Sequence, residues 1–132
     1  VNEREKPYFI GQRYEGGIVF ELTEDGHGLL VAMEDIGAFS WKEAKSECLA
    51  YKGGGYTDWY LPSKEELKKL YKAMYDVNRS LRKEGGKQIR LSEHWSITET
   101  SAYTAWLFDF KAGTAIYNNK NFTYYVRAVR AF

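Results

Sequence analysis

The spacing of hydrophobic and polar positions along the chain runs from strand-like to helix-like and back. Gly16-Gly17-Ile18-Val19-Phe20-Glu21-Leu22 is β-branched and aromatic, Glu24-Asp25-Gly26 supplies turn chemistry, and Leu29-Leu30-Val31-Ala32-Met33 follows. That succession predicts a β-hairpin. Ser40 stands three residues before Glu43, a capping box, and predicts a helix over residues 41–51 with Trp41, Ala44, Cys48 and Leu49 turned inward and Gly53-Gly54-Gly55 as its stop. Pro62 and Ser63, with Glu66 three residues on, open a second helix. Its apolar face is Leu67, Leu70, Tyr71, Met74 and Tyr75; Lys64, Lys68, Lys69 and Lys72 fall with Glu65 on the other side, as a solvated face. Residues 79–90 are charged and glycine-interrupted and read as a surface excursion. Strand-like spacing then returns at residues 95–98, 103–110 and 114–117, with a turn at Lys111-Ala112-Gly113 and one closing strand over 124–131.

Strands, two helices, then strands again make an α+β domain over residues 15–132. Residues 1–14 form a polar arm whose Tyr8-Phe9-Ile10 patch can dock on the body. At 132 residues, 44% hydrophobic and 28% charged, the chain can build one core and is neither disordered nor a coiled coil. The net charge of +1 excludes an obligatory nucleic-acid or polybasic membrane binder, and no apolar run is long enough to insert in a bilayer. The charge is unevenly spread, with 11 basic and 14 acidic side chains in residues 1–79 against 8 and 4 in residues 80–132. Cys48 is the sole cysteine, which excludes an intrachain disulfide and suits a small buried hydrophobe. A first residue of Val rather than Met fits a chain trimmed of a targeting segment.

The motifs taken together resemble a family. Gly16-Gly17-Ile18-Val19-Phe20, His27-Gly28-Leu29-Leu30-Val31-Ala32, Trp41 with Ala44 and Cys48, and the run from Gly54-Gly55-Tyr56-Thr57-Asp58-Trp59 through Leu61-Pro62-Ser63 to Glu65-Glu66-Leu67 carry the first half. Trp95-Ser96, Thr98-Glu99, Ala105-Trp106, Phe110, Gly113 and Tyr125-Val126-Arg127-Ala128-Val129-Arg130 carry the second. Over about residues 14–132 the chain is similar to the bacterial Lcl carboxy-terminal-domain family. The resemblance implies a C-type-lectin-like fold, two helices on a twisted, mainly antiparallel sheet with paired termini, and an extracytoplasmic setting. The collagen-like adhesin that names the family binds sulfated glycosaminoglycans and is trimeric, so the resemblance also implies a glycan or surface-protein partner and the option of a homo-oligomer. This chain departs from the family at Tyr60, where Arg is usual and an ion pair with Asp58 is therefore not expected, and at His94, where Tyr is usual.

Familiar catalytic patterns are missing. His27 and His94 lack the spaced partners of a zinc site, and no nucleophile elbow, phosphate loop, dinucleotide fingerprint or EF-hand loop occurs, so neither enzyme chemistry nor a cofactor or metal is expected. Paired cysteines of formylglycine-generating enzymes and the calcium triplets of sugar-binding lectins are likewise not present. Asp58-Trp59 reads as a corner in which Asp58 satisfies backbone amides and Trp59 packs. The leading reading is recognition, with a protein-interaction or assembly module and an enzyme with a cryptic carboxylate site as alternatives; it centres on Asn118, Asn119, Lys120 and Asn121, where amides offer paired donors and acceptors and a lysine favours anions. Trp106, Tyr117 and Tyr124 supply stacking surface, and Arg90 and Lys111 extend the site toward an anionic glycan. A polar hairpin turn with left-handed asparagines is the alternative for the same residues. Arg127 and Arg130, in the closing strand, suit structural ion pairs or cover for aromatic faces.

Overall fold

A computed structural model of the chain describes residues 7–132, so residues 1–6 of the expected arm lie outside the described residues. Along the chain come β1 (Arg13–Tyr14), β2 (Gly17–Leu22), β3 (Gly28–Ala32) and β4 (Gly37–Phe39). Then follow α1 (Trp41–Ala50), a 3-10 turn at Gly53–Gly55, α2 (Lys64–Lys72) and α3 (Met74–Lys83). The chain ends in β5 (Glu93–Glu99), β6 (Thr104–Asp109), β7 (Thr114–Asn119), β8 (Tyr124–Val126) and β9 (Val129–Ala131). The class is α+β. No described helix is long and apolar enough to cross a membrane.

The strands form two sheets, ordered β1-β2-β3-β9 and β4-β8-β5-β6-β7, and every ladder is antiparallel except β5 against β8. The expected β2–β3 hairpin is present, with a register shift between Val19 and Glu21 that leaves Phe20 as an extra residue. Ile18 and Phe20 enter the same core while Val19 is buried apart from it, so this strand is covered on both faces. The chain folds back so that Phe132 and Gly28 exchange both main-chain hydrogen bonds, and the rings of Tyr8, Tyr14 and Phe132 pack at 4.8–5.1 Å. Arg13 and Tyr14 of the expected arm are therefore part of the first sheet, while Phe9 stays exposed.

Several expectations are corrected. The closing segment is two strands, β8 in the second sheet and β9 in the first, and Arg127-Ala128 is the crossing between them. Both sheets therefore share one continuous piece of backbone, which ties their positions together. Three helices replace the expected two: Ala73, at φ −93° and ψ 3°, is at once the last cap of α2 and the first cap of α3. The buried stripe of Leu67, Leu70, Val77 and Leu81, with Met74 packed against it, keeps its three- and four-residue spacing across Ala73, and Tyr75 falls off that stripe at 77% exposure. Residues 79–90 are accordingly no loose excursion; α3 continues to Lys83, Asn78 Oδ1 accepts the Ile89 amide at 2.8 Å, and Ile89 is buried. Leu49 points outward at 67% exposure, since the inward stripe of α1 is Trp41, Ala44 and Cys48.

Two cores result. Ile18, Phe20 and Val31 of the first sheet meet Leu67, Leu70, Val77 and Leu81 of the helices and Phe108 and Phe110. Trp41, Ala44 and Cys48 of α1 meet Trp59, Trp95, Leu107 and Val126 in the other. The buried indoles are satisfied by carbonyls, Trp41 Nε1 donating to Ser96 at 2.8 Å, Trp59 Nε1 to Gly53 at 3.0 Å and Trp95 Nε1 to Phe39 at 2.9 Å.

Candidate functional site

The second sheet has α1 packed on one face and α2 on the other, and the α2 face carries a groove. Trp106 and Phe108 of β6 and Ala115 of β7 form its floor, with Tyr71 at one end and a volume of about 630 Å³. Register explains the floor: Trp106 pairs with Tyr117 and Phe108 with Ala115, so all four side chains share one face of the sheet. Tyr117 stands edge-on to Trp106 with ring centroids 5.4 Å apart and is 61% exposed. Gly113, at φ +75°, lets the turn before β7 pass under Tyr71; a Cβ there would lie 2.6 Å from the Tyr71 hydroxyl.

The groove's rim is α2. Lys64, Lys68 and Lys72 line it at intervals of four residues, a spacing that stacks them on one helix face with about 6 Å of rise per step. Lys64 Nζ sits 4.3 Å from the Trp106 ring centroid, a cation–π contact. Lys68 approaches Glu65 at 3.6 Å, an exposed pair, and no described carboxylate lies within ion-pair distance of Lys64 or Lys72. The helix is held firmly beneath these side chains. Ser63 Oγ accepts the Glu66 amide at 3.1 Å, Glu66 returns to the Ser63 amide at 2.8 Å, and Thr98 Oγ1 accepts the Lys64 amide at 2.9 Å. The expected solvated lysine face is present, with Lys68, Lys69 and Lys72 exposed; Lys69 turns to Glu21 at 3.2 Å, while Lys64, Lys68 and Lys72 also overlook the aromatic floor. Their four-residue spacing is visible in the sequence; that it meets Trp106 is not.

The residues named from sequence are spread over four places. Trp106 and Tyr117 lie in the groove. Asn118 is on the opposite face, its Nδ2 donating to the Tyr124 hydroxyl at 2.7 Å, and Tyr124 packs edge-on to Trp95 at 4.9 Å. The Asn118 Oδ1 accepts the Asn119 amide and the Asn119 Oδ1 accepts the Asn121 amide, both at 2.8 Å, so these amides hold the turn. None of the three asparagines adopts the left-handed conformation. Lys120 reaches Glu99 at 2.6 Å and the Ala102 carbonyl at 3.1 Å, with its ammonium 4.2 Å from the Trp41 ring. The same ammonium holds the Glu99 carboxyl below the usual range. Arg90 lies toward the other end of β5, roughly 20 Å away at strand rise, paired with Asp35 at 3.0 Å and stacked 4.7 Å from Tyr125. Lys111 sits in the β6–β7 turn, where its amide bonds Asp109. Arg90, Lys111 and Lys120 therefore do not converge.

A family model described as the Lcl C-terminal domain matches residues 22–130. The chain belongs to the Lcl C-terminal domain family. No curated protein matches it. In this Lcl C-terminal domain Arg127, at the crossing between the sheets, and Arg130, in β9, do structural work. Arg130 forks onto Asp58, at 2.7 Å and 3.2 Å, and stacks 4.1 Å from Tyr56. Asp58 thus has an arginine partner after all, from β9 rather than position 60, and it does not serve the turn amides as expected; the guanidinium holds its carboxyl below the usual range. Trp59 is packed as expected. Tyr60 at the family's Arg position instead donates its hydroxyl to Glu66 at 2.7 Å and bridges β9 through Val129.

Arg127 is buried and bonds the Ala32 carbonyl at 3.0 Å, the Lys87 carbonyl, and Asp35 Oδ1 at 3.4 Å. His94, also buried, has Nδ1 3.1 Å from the Ser92 carbonyl and Nε2 3.6 Å from the same Asp35 oxygen. Sequence spacing gave no hint of this carboxylate partner. Burial pushes the Asp35 carboxyl up, but His94, Arg127 and Arg90 outweigh it and hold the group below its ordinary range. His27 lies elsewhere, its Nδ1 3.0 Å from the Phe132 carbonyl. Cys48 is buried, which pushes its thiol up to about 12. Among the described residues, no group of His, Cys, Asp and Glu is arranged to hold a metal ion.

Proposed function

We propose that this domain is a non-enzymatic, extracytoplasmic binding module of C-type-lectin-like build that recognises a polysaccharide of anionic character on a host surface or cell envelope. The observation that carries the reading is the Trp106 groove with Lys64, Lys68 and Lys72 along one wall. An aromatic floor accepts the apolar face of a sugar ring, and ammonium groups about 6 Å apart follow a chain of sulfate or carboxylate groups. The family resemblance supports the extracytoplasmic setting and the lectin-like fold. A protein-binding role is the second reading, favoured by Ile116 and Tyr117, which stay exposed on an open strand edge.

A glycan array with sulfated, uronic and neutral polysaccharides tests the first reading. Lys64→Gln, Lys68→Gln and Lys72→Gln together are expected to weaken binding of an anionic glycan at least about ten-fold and to flatten its salt dependence, and Trp106→Ala to weaken it at any salt. Arg90→Ala and Lys120→Ala are expected to leave binding unchanged, because both cations are already engaged by carboxylates. Unaltered binding by the triple lysine variant, or loss on Arg90→Ala with the fold intact, overturns the assignment of this groove.

A further inference from the structure

β7 is an open edge. It pairs with β6 alone, in continuous register from Thr104↔Asn119 to Asp109↔Thr114. Lys120 continues that register with its amide donating to the Tyr103 carbonyl, so main-chain groups alternate from there: Asn118, Ile116 and Thr114 face β6, while Asn119, Tyr117 and Ala115 face away. Asn119 is closed off, its amide bound by the Asn118 side chain and its carbonyl by the Phe122 amide. Ala115 and Tyr117 have no main-chain partner on that side among the described residues.

The other edges are blunted. β1 has two residues, β4 has three, and the outer side of β9 is bridged by Tyr60. β7 has none of the usual guards, since no lysine, proline or bulge interrupts Thr114–Asn119. It is also uncharged.

We infer that β7 pairs antiparallel with β7 of a second copy of this chain, with Ile116 opposite Ile116 on the dyad. The register follows from two constraints. Residues opposite one another must share a sheet face, which requires an even offset, and the bonded couples must use the main-chain groups left open. Ala115 opposite Tyr117 uses every open group, and the dyad repeats that couple; Ala115 opposite itself sets Tyr117 against Gly113, whose amide already donates to the Asp109 carbonyl, and Tyr117 opposite itself displaces the Asn118 side chain from the Asn119 amide. Ile116, 42% exposed in the single chain, then meets its own copy in the closer, non-bonded kind of pair, and each Tyr117 ring covers the partner's Ala115 beside the groove. The flanking Lys111 and Lys120 fall opposite Asn121 and Ala112, so no like charges oppose. This self-complementarity selects a second copy over an unrelated strand. So short an edge buries less than the roughly 1,600 Å² of a standard interface, so the dimer forms reversibly with concentration. The inference does not depend on what the groove binds.

Sedimentation of the full chain over a concentration series tests it. The mass is expected to rise from 15.3 kDa toward twice that value as concentration approaches about 1 mM. Ile116→Lys and Tyr117→Pro are expected to stay monomeric with unchanged circular dichroism; the proline removes an amide that serves only the pair, because in the single chain it faces solvent. In the Ile116→Cys chain, mild oxidation is expected to give a disulfide-linked dimer faster than in a Leu49→Cys control, against a silent background from buried Cys48. A wild-type chain monomeric throughout, an assembly larger than two, association that survives Ile116→Lys, or equal oxidation of both cysteine variants overturns the pairing.

Discussion

Replacing Asp35 by Asn tests the polar heart of the domain. Arg127 is almost wholly buried, and Asp35 is its sole carboxylate partner among the described residues. Removing one member of a buried ion pair costs about 3–5 kcal/mol, because the other charge is left uncompensated. Arg127 keeps the Ala32 and Lys87 carbonyls, so the low end applies, about 3 kcal/mol. With about 0.28 kcal/mol/K of unfolding entropy for a domain of this length, the melting temperature should fall by about 10 °C. Urea unfolding followed by tryptophan fluorescence reads the same loss, and the double variant Asp35→Asn/Arg127→Leu should lose less than the two single changes added together. The pH dependence has a definite sign. The folded-state value of Asp35 is depressed, so its contribution is present above the unfolded carboxylate value of about 3.9 and is lost as pH falls through the lower folded value. The stability gap between wild type and Asp35→Asn should therefore be level from neutral pH down to about 4 and close below it. A loss under about 1 kcal/mol at pH 7, or a gap indifferent to acid, refutes the claim that Asp35 compensates Arg127.

Gly113→Ala should cost about 1–2 kcal/mol from its left-handed backbone alone and should displace Tyr71 toward the groove, read as a lower melting temperature together with weaker glycan binding. Strong binding with Tyr71 unmoved counts against this account of the floor. The Cys48 thiol, pushed up to about 12 by burial, should react with a disulfide reagent at pH 8 at least about 100-fold more slowly in the native chain than in urea. Rapid native labelling contradicts its burial.

Local signals were legible because they act locally. Ser40 with Glu43 and Ser63 with Glu66 mark helix starts through contacts three residues long; at Ser63 both bonds of the capping box form, and at Ser40 the Glu43 carboxylate accepts from the serine amide and hydroxyl. The α2–α3 break at Ala73 has no such mark. Neither Gly nor Pro stands there, and the apolar stripe of Leu67, Leu70, Val77 and Leu81 runs past it in unbroken helical spacing. The closing segment read as one strand because its alternation continues through Arg127-Ala128, although its halves serve different sheets. Trp106 was legible as a candidate stacking residue, but its lysine neighbours come from a helix some 40 residues earlier. Arg90 and Lys120 looked free because Asp35 and Glu99 reach them only through the tertiary fold.

The build of the rim also sets what kind of recognition it supports. The α2 backbone is pinned by its capping box and by Thr98, so its lysine Cα positions are preorganised, while the ammonium heads move on flexible stems. Ordering each head costs up to about 2 kcal/mol of rotamer entropy, so one lysine adds little net affinity and adapts to many anion spacings. Selectivity should then follow charge density more closely than sugar identity, with Trp106 adding the requirement for a ring face. Weak single-site binding of this kind gains most from repetition. A β7 dyad normal to the sheet places two grooves on one face, and a polymer long enough to span both would bind about 10²–10⁴ times more tightly than one groove alone. A short oligosaccharide cannot span them, so a steep rise of affinity with chain length, lost on Ile116→Lys but kept in the covalent Ile116→Cys dimer, ties the two surfaces together.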